Sequence, residues 1–289
     1  MNGQGVDGGK AKPTLVVGGS GKTGRRVAEK LSAAGYAVRL GSRQADPSFD
    51  WEREAGWAQV LDGVGAAYVA YYPDLAAPGA PGKIRAFVEL ALEMGVKRIV
   101  LLSGRGEEEA RQCERALTES RADWTILRCS WFAQNFSEGY MIDGVLSGVL
   151  ALPAGPVGEP FVDCDDIADA AVAALTEEGH VGRLYELTGP RLLTFREAAD
   201  EIADALGRPV QFDHVPVADY AAAMREQQIP EETARLVTYL FDTVLDGRNA
   251  HIADGVQRAL GRPPRDFRDY ARATAASGVW NAPVTAGPA

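Results

Sequence analysis

A glycine-dense turn between an apolar run and an amphipathic segment constrains this chain more than any other stretch. Residues 14–17 are β-branched or apolar, residues 18–24 read Gly-Gly-Ser-Gly-Lys-Thr-Gly, and residues 25–31 carry apolar side chains at helical spacing. The predicted order is therefore strand, tight turn, helix. Glycines let such a turn reverse sharply and let another group approach the backbone closely. The N-terminus of the following helix would offer unpaired N–H groups to an anion.

Two glycine spacings in this turn fit a dinucleotide-binding loop, in which the cofactor diphosphate lies on the helix N-terminus. One is Gly19-x-Gly21-x-x-Gly24, and the other is Gly18-x-x-Gly21-x-x-Gly24. We favour the second, because it resembles the loops of extended and atypical short-chain dehydrogenases. A P-loop is excluded, because its first glycine would fall at Val16. We expect the whole loop to bind the cofactor: Gly18, Gly19, Ser20, Gly21, Lys22, Thr23 and Gly24.

The pattern along the chain predicts an α/β fold. Strands are expected at 14–17, 36–40, 66–71, 98–102, 124–127 and 183–187, and helices at 24–34, 52–61, 84–94, 107–120, 165–175, 195–206, 217–226, 231–245 and 267–275. Alternation of strand and helix over the first 130 or so residues indicates a Rossmann-type, doubly wound parallel sheet. Gly95 is expected to end one helix, and Thr194 with Glu197 forms a capping box.

The predicted organisation is a dinucleotide-binding core over residues 13–135 and a smaller, mainly helical substrate subdomain over 136–280, with some elements returning to the core. Residues 1–12 and 281–289 are expected to be tails. At 289 residues and 46% hydrophobic composition, the chain can bury cores of this size.

Charge and cysteine content exclude several classes of function. A net charge of −10 argues against nucleic acid or an anionic membrane surface as a partner. The chain has no long apolar run and no export signal, so we expect a cytoplasmic protein. Cys113, Cys129 and Cys164 lack Cys-x-x-Cys spacing, which suits reduced thiols, and we predict no metal site. The oligomeric state stays open.

Residues after the second strand bear on which nicotinamide cofactor is bound. NAD enzymes usually place Asp or Glu there to bind both ribose hydroxyls, but this chain has Gly41-Ser42-Arg43. Arg43 offers a planar fork of donors for a 2′-phosphate. We therefore predict that Ser42 and Arg43 bind NADP(H), with NAD(H) the less favoured cofactor. An exposed loop charge is the alternative for Arg43.

Other cofactor contacts are predicted at the carboxyl ends of the later strands. A short additional strand is expected to end at Asp50 and Trp51, where the adenine would lie. The remaining predicted contacts follow the next two strands: Tyr71, Tyr72, Pro73, Ser103 and Gly104.

Several segments together resemble the NmrA-like group of atypical short-chain dehydrogenases. They are residues 18–24, 114–120, 124–128, 131–136 and 179–189, and the likeness covers residues 14–220. The group includes NADPH quinone reductases, triphenylmethane dye reductases, ergot-alkaloid iminium reductases and redox-sensing regulators. The resemblance implies an NADPH-binding, two-part fold.

The proton-donating pair of ordinary short-chain dehydrogenases is missing. In those enzymes a Tyr-x-x-x-Lys pair protonates the forming alkoxide, and no tyrosine here has a lysine four residues later. Where quinone-reductase relatives read His-x-x-x-Glu, this chain has Ala110 and Glu114, and Glu114 is either functional or a helix-surface charge. No catalytic residue is assigned.

We therefore predict a reductase acting on a conjugated or polycyclic small molecule, such as a ketone, quinone or iminium of secondary metabolism. Such substrates form stabilised products and need little help from a protein acid. The predicted substrate pocket is Arg105, Trp131, Phe132, Asn135 and Phe161, with aromatic rings stacking on a flat ligand. A non-catalytic NADP(H)-sensing regulator is the alternative, and an isomerase is a weaker one.

Overall fold

The computed structural model of the protein describes residues 12–281. Its strands are Thr14–Val17 (β1), Val38–Gly41 (β2), Ala66–Val69 (β3), Arg98–Gly104 (β4), Asp123–Cys129 (β5), Val149–Leu152 (β6), Arg183–Leu187 (β7) and Gln211–His214 (β8). Its helices are Lys22–Ala33 (α1), Trp57–Leu61 (α2), Ala80–Glu93 (α3), Glu108–Thr118 (α4), Asn135–Glu138 (α5), Ile142–Ser147 (α6), Cys164–Thr176 (α7), Phe195–Leu206 (α8), Val217–Glu226 (α9), Glu231–Tyr239 (α10), Gly255–Leu260 (α11) and Phe267–Ser277 (α12). The predicted tails fall outside these residues, apart from Lys12 and Asn281. Among the described helices, none has the length and apolar character needed to cross a membrane.

The main sheet of the described chain is parallel, with strand order β2-β1-β3-β4-β5-β7. Thr14 of β1 pairs with Val38 on one side and with Ala66 on the other. The chain therefore runs from β1 to β2 on one side of β1, and then crosses to β3 on the other side. This topological switch point leaves a crevice outside the carboxyl ends of the strands. The predicted Rossmann-type fold is confirmed.

Both faces of the sheet are buried, because successive side chains of a strand point to opposite faces. Leu15 of β1 belongs to an apolar cluster with Phe87 of α3. Val16, the next residue, belongs to a second cluster with Ile167 of α7. A third cluster, which includes Trp280, joins the C-terminal helices to the segment after β5. The helical C-terminal region is thus confirmed, whereas the domain boundary after residue 135 stays a prediction.

A second, two-stranded sheet lies within the C-terminal half. There β6 pairs in parallel with β8, with Val149 opposite Gln211. The sequence pattern predicts neither strand. The two strands are short and far apart in sequence, so their pairing leaves no local signal.

Local signals at helix ends predicted the structure well. Thr194 Oγ1 accepts from the Glu197 N–H, and the Glu197 carboxylate accepts from the Thr194 N–H. Gly95 follows α3 with φ +84°, a conformation that glycine adopts without strain. Both predictions are confirmed.

The expected strand ending at Asp50 and Trp51 is wrong. The backbone carbonyl of Ser42 accepts from the N–H groups of Ala45 and Phe49, so this stretch turns back on itself. Trp51 then enters the apolar cluster of β1 and α3 instead of a strand. The helix predicted at 52–61 is also shorter, because a 3₁₀ turn over Glu54–Gly56 precedes α2.

Candidate cofactor and substrate site

The glycine loop after β1 has the geometry of a cradle. Gly18 has φ +75°, and its N–H donates to the Gly41 carbonyl at 2.9 Å, which joins the loop to β2. A methyl group on Gly24 would collide with the Gly18 carbonyl and lie 2.7 Å from its carbon. Helix α1 can therefore pack this closely against the loop only because position 24 lacks a side chain.

The N-terminus of α1 has the donors that a diphosphate requires. No side chain caps this helix at Gly21, and the Arg25 N–H is the one that bonds back to the Gly21 carbonyl, at 3.1 Å. The N–H groups of the first turn precede that bond and have no acceptor within the helix. Ser20 and Gly21 are exposed, so the loop backbone is open to a ligand. The loop fits a bound dinucleotide.

Two side chains of the loop have contacts on the protein side. The Thr23 hydroxyl accepts from the buried Tyr68 hydroxyl at 2.9 Å, and this hydrogen bond fixes the Thr23 side chain against the sheet. Lys22 Nζ lies beside Gly139, where a Cβ would be 3.1 Å away. Burial lowers the pKa of Lys22.

Arg43 and Tyr72 meet at the carboxyl edge of the sheet, as loops after β2 and β3 converge. The Arg43 guanidinium carbon lies 5.7 Å from the centroid of the Tyr72 ring, which is 69% exposed. Within residues 12–281, Arg43 forms no salt bridge. Ser42, partly buried, forms the turn that holds this loop.

The other residues predicted near the adenine mainly build the protein interior. Trp51 is 6% exposed and its ring centroid lies 4.7 Å from that of Tyr71. Asp50 accepts from the Glu52 N–H with its side chain and from the Trp57 indole N–H with its carbonyl. Pro73 is exposed beside Tyr72. Their contacts with a cofactor stay predictions.

Ser103, at the end of β4, belongs to a buried polar network. Its hydroxyl donates to Glu114 Oε1 at 2.6 Å, and Arg128 binds the same carboxylate through Nε at 2.9 Å. Arg128 also donates to Glu186 at 3.0 Å. Glu114 is only 5% exposed, so the alternative of a helix-surface charge is wrong. Gly104 follows Ser103 and carries the carboxylate of Glu107 directly against its backbone.

Arg105 is buried and connects two segments of the chain. Its guanidinium donates to the carbonyl groups of Asn249 and His251 at 3.3 Å and lies 3.5 Å from Glu186. These bonds attach the segment before α11 to the end of β4. Because its donors are occupied, these contacts do not support a role in the substrate pocket.

The other four residues predicted to line the substrate pocket differ in how deeply they are buried. Phe161 is 3% exposed and packs on Phe136 and Phe195, so it is core. Trp131 is partly buried, and its centroid lies 4.9 Å from that of Phe241. Phe132 and Asn135 are also partly exposed. Trp131, Phe132 and Asn135 thus keep part of their surface exposed, and their contact with a substrate stays a prediction.

Sequence reasoning missed four residues that the structure brings to the carboxyl edge: Asp74, Glu107, Tyr140 and Tyr220. Asp74 follows β3 and Glu107 follows β4, which was the available signal. Desolvation of the hydroxyl, Tyr220 and Asp74 together raise the pKa of Tyr140 well above its usual range, although other parts of the residue are exposed. Tyr140 is 40% exposed and carries a neutral hydroxyl at this edge.

Comparison with known proteins agrees with this geometry. The family described as NAD(P)H-binding matches residues 18–178. The chain belongs to the NAD(P)H-binding family. The match begins at Gly18, directly after β1, and extends through α7, so it includes the glycine loop and the carboxyl edge where Arg43 and Tyr72 meet.

Relatives of this NAD(P)H-binding protein match it over nearly their whole length. An uncharacterized oxidoreductase of Bacillus subtilis is 31% identical, covering 92% of this chain and 96% of its own. Agroclavine dehydrogenase of Claviceps fusiformis is 30% identical, covering 89% and 95%. An NADPH-dependent quinone oxidoreductase of Escherichia coli, solved with NADPH, has a TM-score of 0.74 at 21% identity, covering 89% and 98%. The prediction of an NmrA-like protein and the prediction of an NAD(P)H-dependent oxidoreductase are confirmed.

Proposed function

We propose that the protein is an NADPH-dependent reductase that transfers a hydride to a conjugated or polycyclic ketone, quinone or iminium. The observation that carries this proposal is the uncapped N-terminus of α1 behind the Gly18–Gly24 turn, at the switch point of a parallel sheet. Diphosphates bind such helix N-termini through backbone N–H groups. The nicotinamide end would then extend along the carboxyl edge toward β4 and β5.

Arg43 supports NADPH rather than NADH as the reductant. It is exposed, it forms no salt bridge within residues 12–281, and it lies over the ring of Tyr72. A guanidinium in this position can bind a 2′-phosphate with two parallel hydrogen bonds. Arg43 also has no neighbouring acidic residue at positions 41–45 that would repel the phosphate.

The aromatic residues near the carboxyl edge support a substrate with a flat, conjugated skeleton. Partly exposed aromatic side chains of Trp131, Tyr140 and Tyr220 approach the carboxyl edge, and Tyr220 and Trp131 both pack on Phe241. Aromatic side chains favour stacked or edge contacts with rings. Agroclavine dehydrogenase and the quinone oxidoreductase carry names of polycyclic or conjugated substrates, which agrees with this class.

Bound NADPH supplies the hydride, and the protein orients the two reactants. Holding C4 of the nicotinamide against an electrophilic carbon contributes on the order of 7 kcal/mol or more through proximity alone. This contribution needs no Tyr-x-x-x-Lys pair. It requires that the glycine loop fixes the cofactor and that the aromatic edge fixes the substrate.

The test is to incubate the purified protein with NADPH and with a panel of quinones, polyaromatic ketones and cationic iminium compounds while following NADPH absorbance. We expect oxidation of NADPH with at least one acceptor class and much slower oxidation of NADH. Nucleotide binding measured by calorimetry is the control. Tight NADPH binding without any turnover would contradict the reductase and favour a nucleotide-sensing regulator.

A further inference from the structure

Two acidic side chains meet at the carboxyl edge beside the aromatic residues. Asp74 lies in the loop after β3 and Glu107 in the loop after β4, and these strands are neighbours in the sheet. Because the two strands are adjacent, the loops lie side by side, and a hydrogen bond between the two carboxyl groups shifts the pKa of both. Two carboxyl groups can form such a contact only when one of them carries a proton.

Glu107 has the surroundings of a proton-bearing group. It is 7% exposed, and its Oε2 atom is buried without a hydrogen-bond donor from residues 12–281. Its carboxyl group packs on the backbone of Gly104, where Oε2 would lie 2.7 Å from an added Cβ. A carboxylate in this position would be desolvated and unpaired, which is costly. A proton shared with Asp74 removes that cost.

The charged groups around the pair do not neutralise it. Burial and then Asp74 raise the pKa of Glu107 well above its usual range, with smaller contributions from Glu109 and Glu114. Burial also raises the pKa of Asp74. Glu114 is paired with Arg128, and Arg248, which donates to the Gly106 carbonyl at 3.3 Å, is paired with Asp246. The thiol of Cys113 and the hydroxyls of Tyr140 and Tyr239 also lie near the pair, and their own pKa values are all raised.

We propose that the Asp74–Glu107 carboxyl pair is the proton donor of the reduction. This proposal rests on the proposed reductase function and supplies the acid that the missing Tyr-x-x-x-Lys pair would have provided. When the hydride forms a C–H bond at a carbonyl carbon, the C=O π electrons move to oxygen. That oxygen takes the proton that Asp74 and Glu107 share. Both carboxyl groups are then ionised. Asp74, which is partly exposed, then recovers a proton from water.

The proposal separates two kinds of acceptor. A neutral ketone or quinone accumulates negative charge on oxygen when it receives a hydride, so it needs a proton. A cationic acceptor, such as an iminium or a triphenylmethane dye, becomes neutral when it receives a hydride and needs none. The carboxyl pair therefore accelerates the first reaction and not the second.

The experiment compares Glu107→Gln with Glu109→Gln, a neighbouring carboxylate that bonds instead to Tyr239. Each purified variant receives NADPH with phenanthrenequinone or with a cationic triphenylmethane dye at saturating concentration. We expect Glu107→Gln to lower kcat for the quinone on the order of 100-fold. Its kcat for the dye and its Kd for NADPH should stay within about twofold of the parent values, and Glu109→Gln should leave both reactions unchanged. Equal loss with both acceptors, or no loss with either, would overturn the proposal.

A second readout does not depend on turnover. Carbon-13 NMR of glutamate-labelled protein follows each carboxyl carbon during a pH titration, and the resonance missing in Glu107→Gln identifies Glu107. We expect that resonance to stay in the protonated position after exposed glutamates have ionised. Ionisation together with the exposed glutamates would refute the pair. If neither acceptor is reduced, the reductase proposal fails, whereas this titration still decides whether the pair holds a proton.

Discussion

Replacing Arg43 by alanine tests the predicted recognition of the 2′-phosphate. A hydrogen bond to a charged group contributes about 1.5–3 kcal/mol, which is roughly 10- to 150-fold in Kd. Arg43 is exposed at the rim of the sheet, so solvent screens the interaction and the low end of this range applies. We expect Arg43→Ala to raise the Kd of NADPH about tenfold. The Kd of NADH should change less than about twofold, because NADH lacks the phosphate.

The assay is isothermal titration calorimetry with each nucleotide, at about 0.05 and about 0.5 M salt, because added salt screens exposed charges. The difference between parent and variant should shrink at the higher concentration. Arg53→Ala is the matched control. It removes the same charge from the same loop, and the Arg53 side chain is 85% exposed. Equal weakening of NADPH and NADH by Arg43→Ala, or equal effects of the two variants, would refute the role of Arg43.

Three further predictions concern the loop and the buried charges. Gly24→Ala should weaken NADPH binding and lower the melting temperature, since overpacking costs about 1–3 kcal/mol, whereas Gly82→Ala, whose added methyl meets nothing within 4 Å, should do neither. Arg128→Met leaves Glu114 buried without its partner and should lower the free energy of unfolding by about 3–5 kcal/mol in urea titrations; an unchanged value would contradict the network. Burial raises the pKa of Glu159 from 4.5 to about 7, so the unfolded chain releases this proton first and stability falls as pH rises from about 4.5 to 7. In the parent, this loss of unfolding free energy reaches about 3 kcal/mol above pH 7, and Glu159→Gln should lack it. Urea titrations at pH 5 and 8 measure the loss, and an equal loss in parent and variant would refute the role of Glu159.

The sequence by itself determined the elements whose signals are local. The turn at 18–24, the capping box at Thr194 and the helix end at Gly95 depend on backbone conformations and hydrogen bonds within a few residues. Alternation of apolar runs with amphipathic segments determined the parallel sheet, because only buried strands with helical crossovers produce that pattern. The cofactor class followed from the same loop.

Only the tertiary structure decided what distant segments do to each other. Glu114 is an ordinary charge in the pattern of α4, yet Ser103 and Arg128 enclose it. Asp74 and Glu107 belong to separate loops, which lie side by side because β3 and β4 are adjacent. Pairing across a sheet and burial of a charge depend on contacts between residues far apart along the chain, and no local spacing records those contacts.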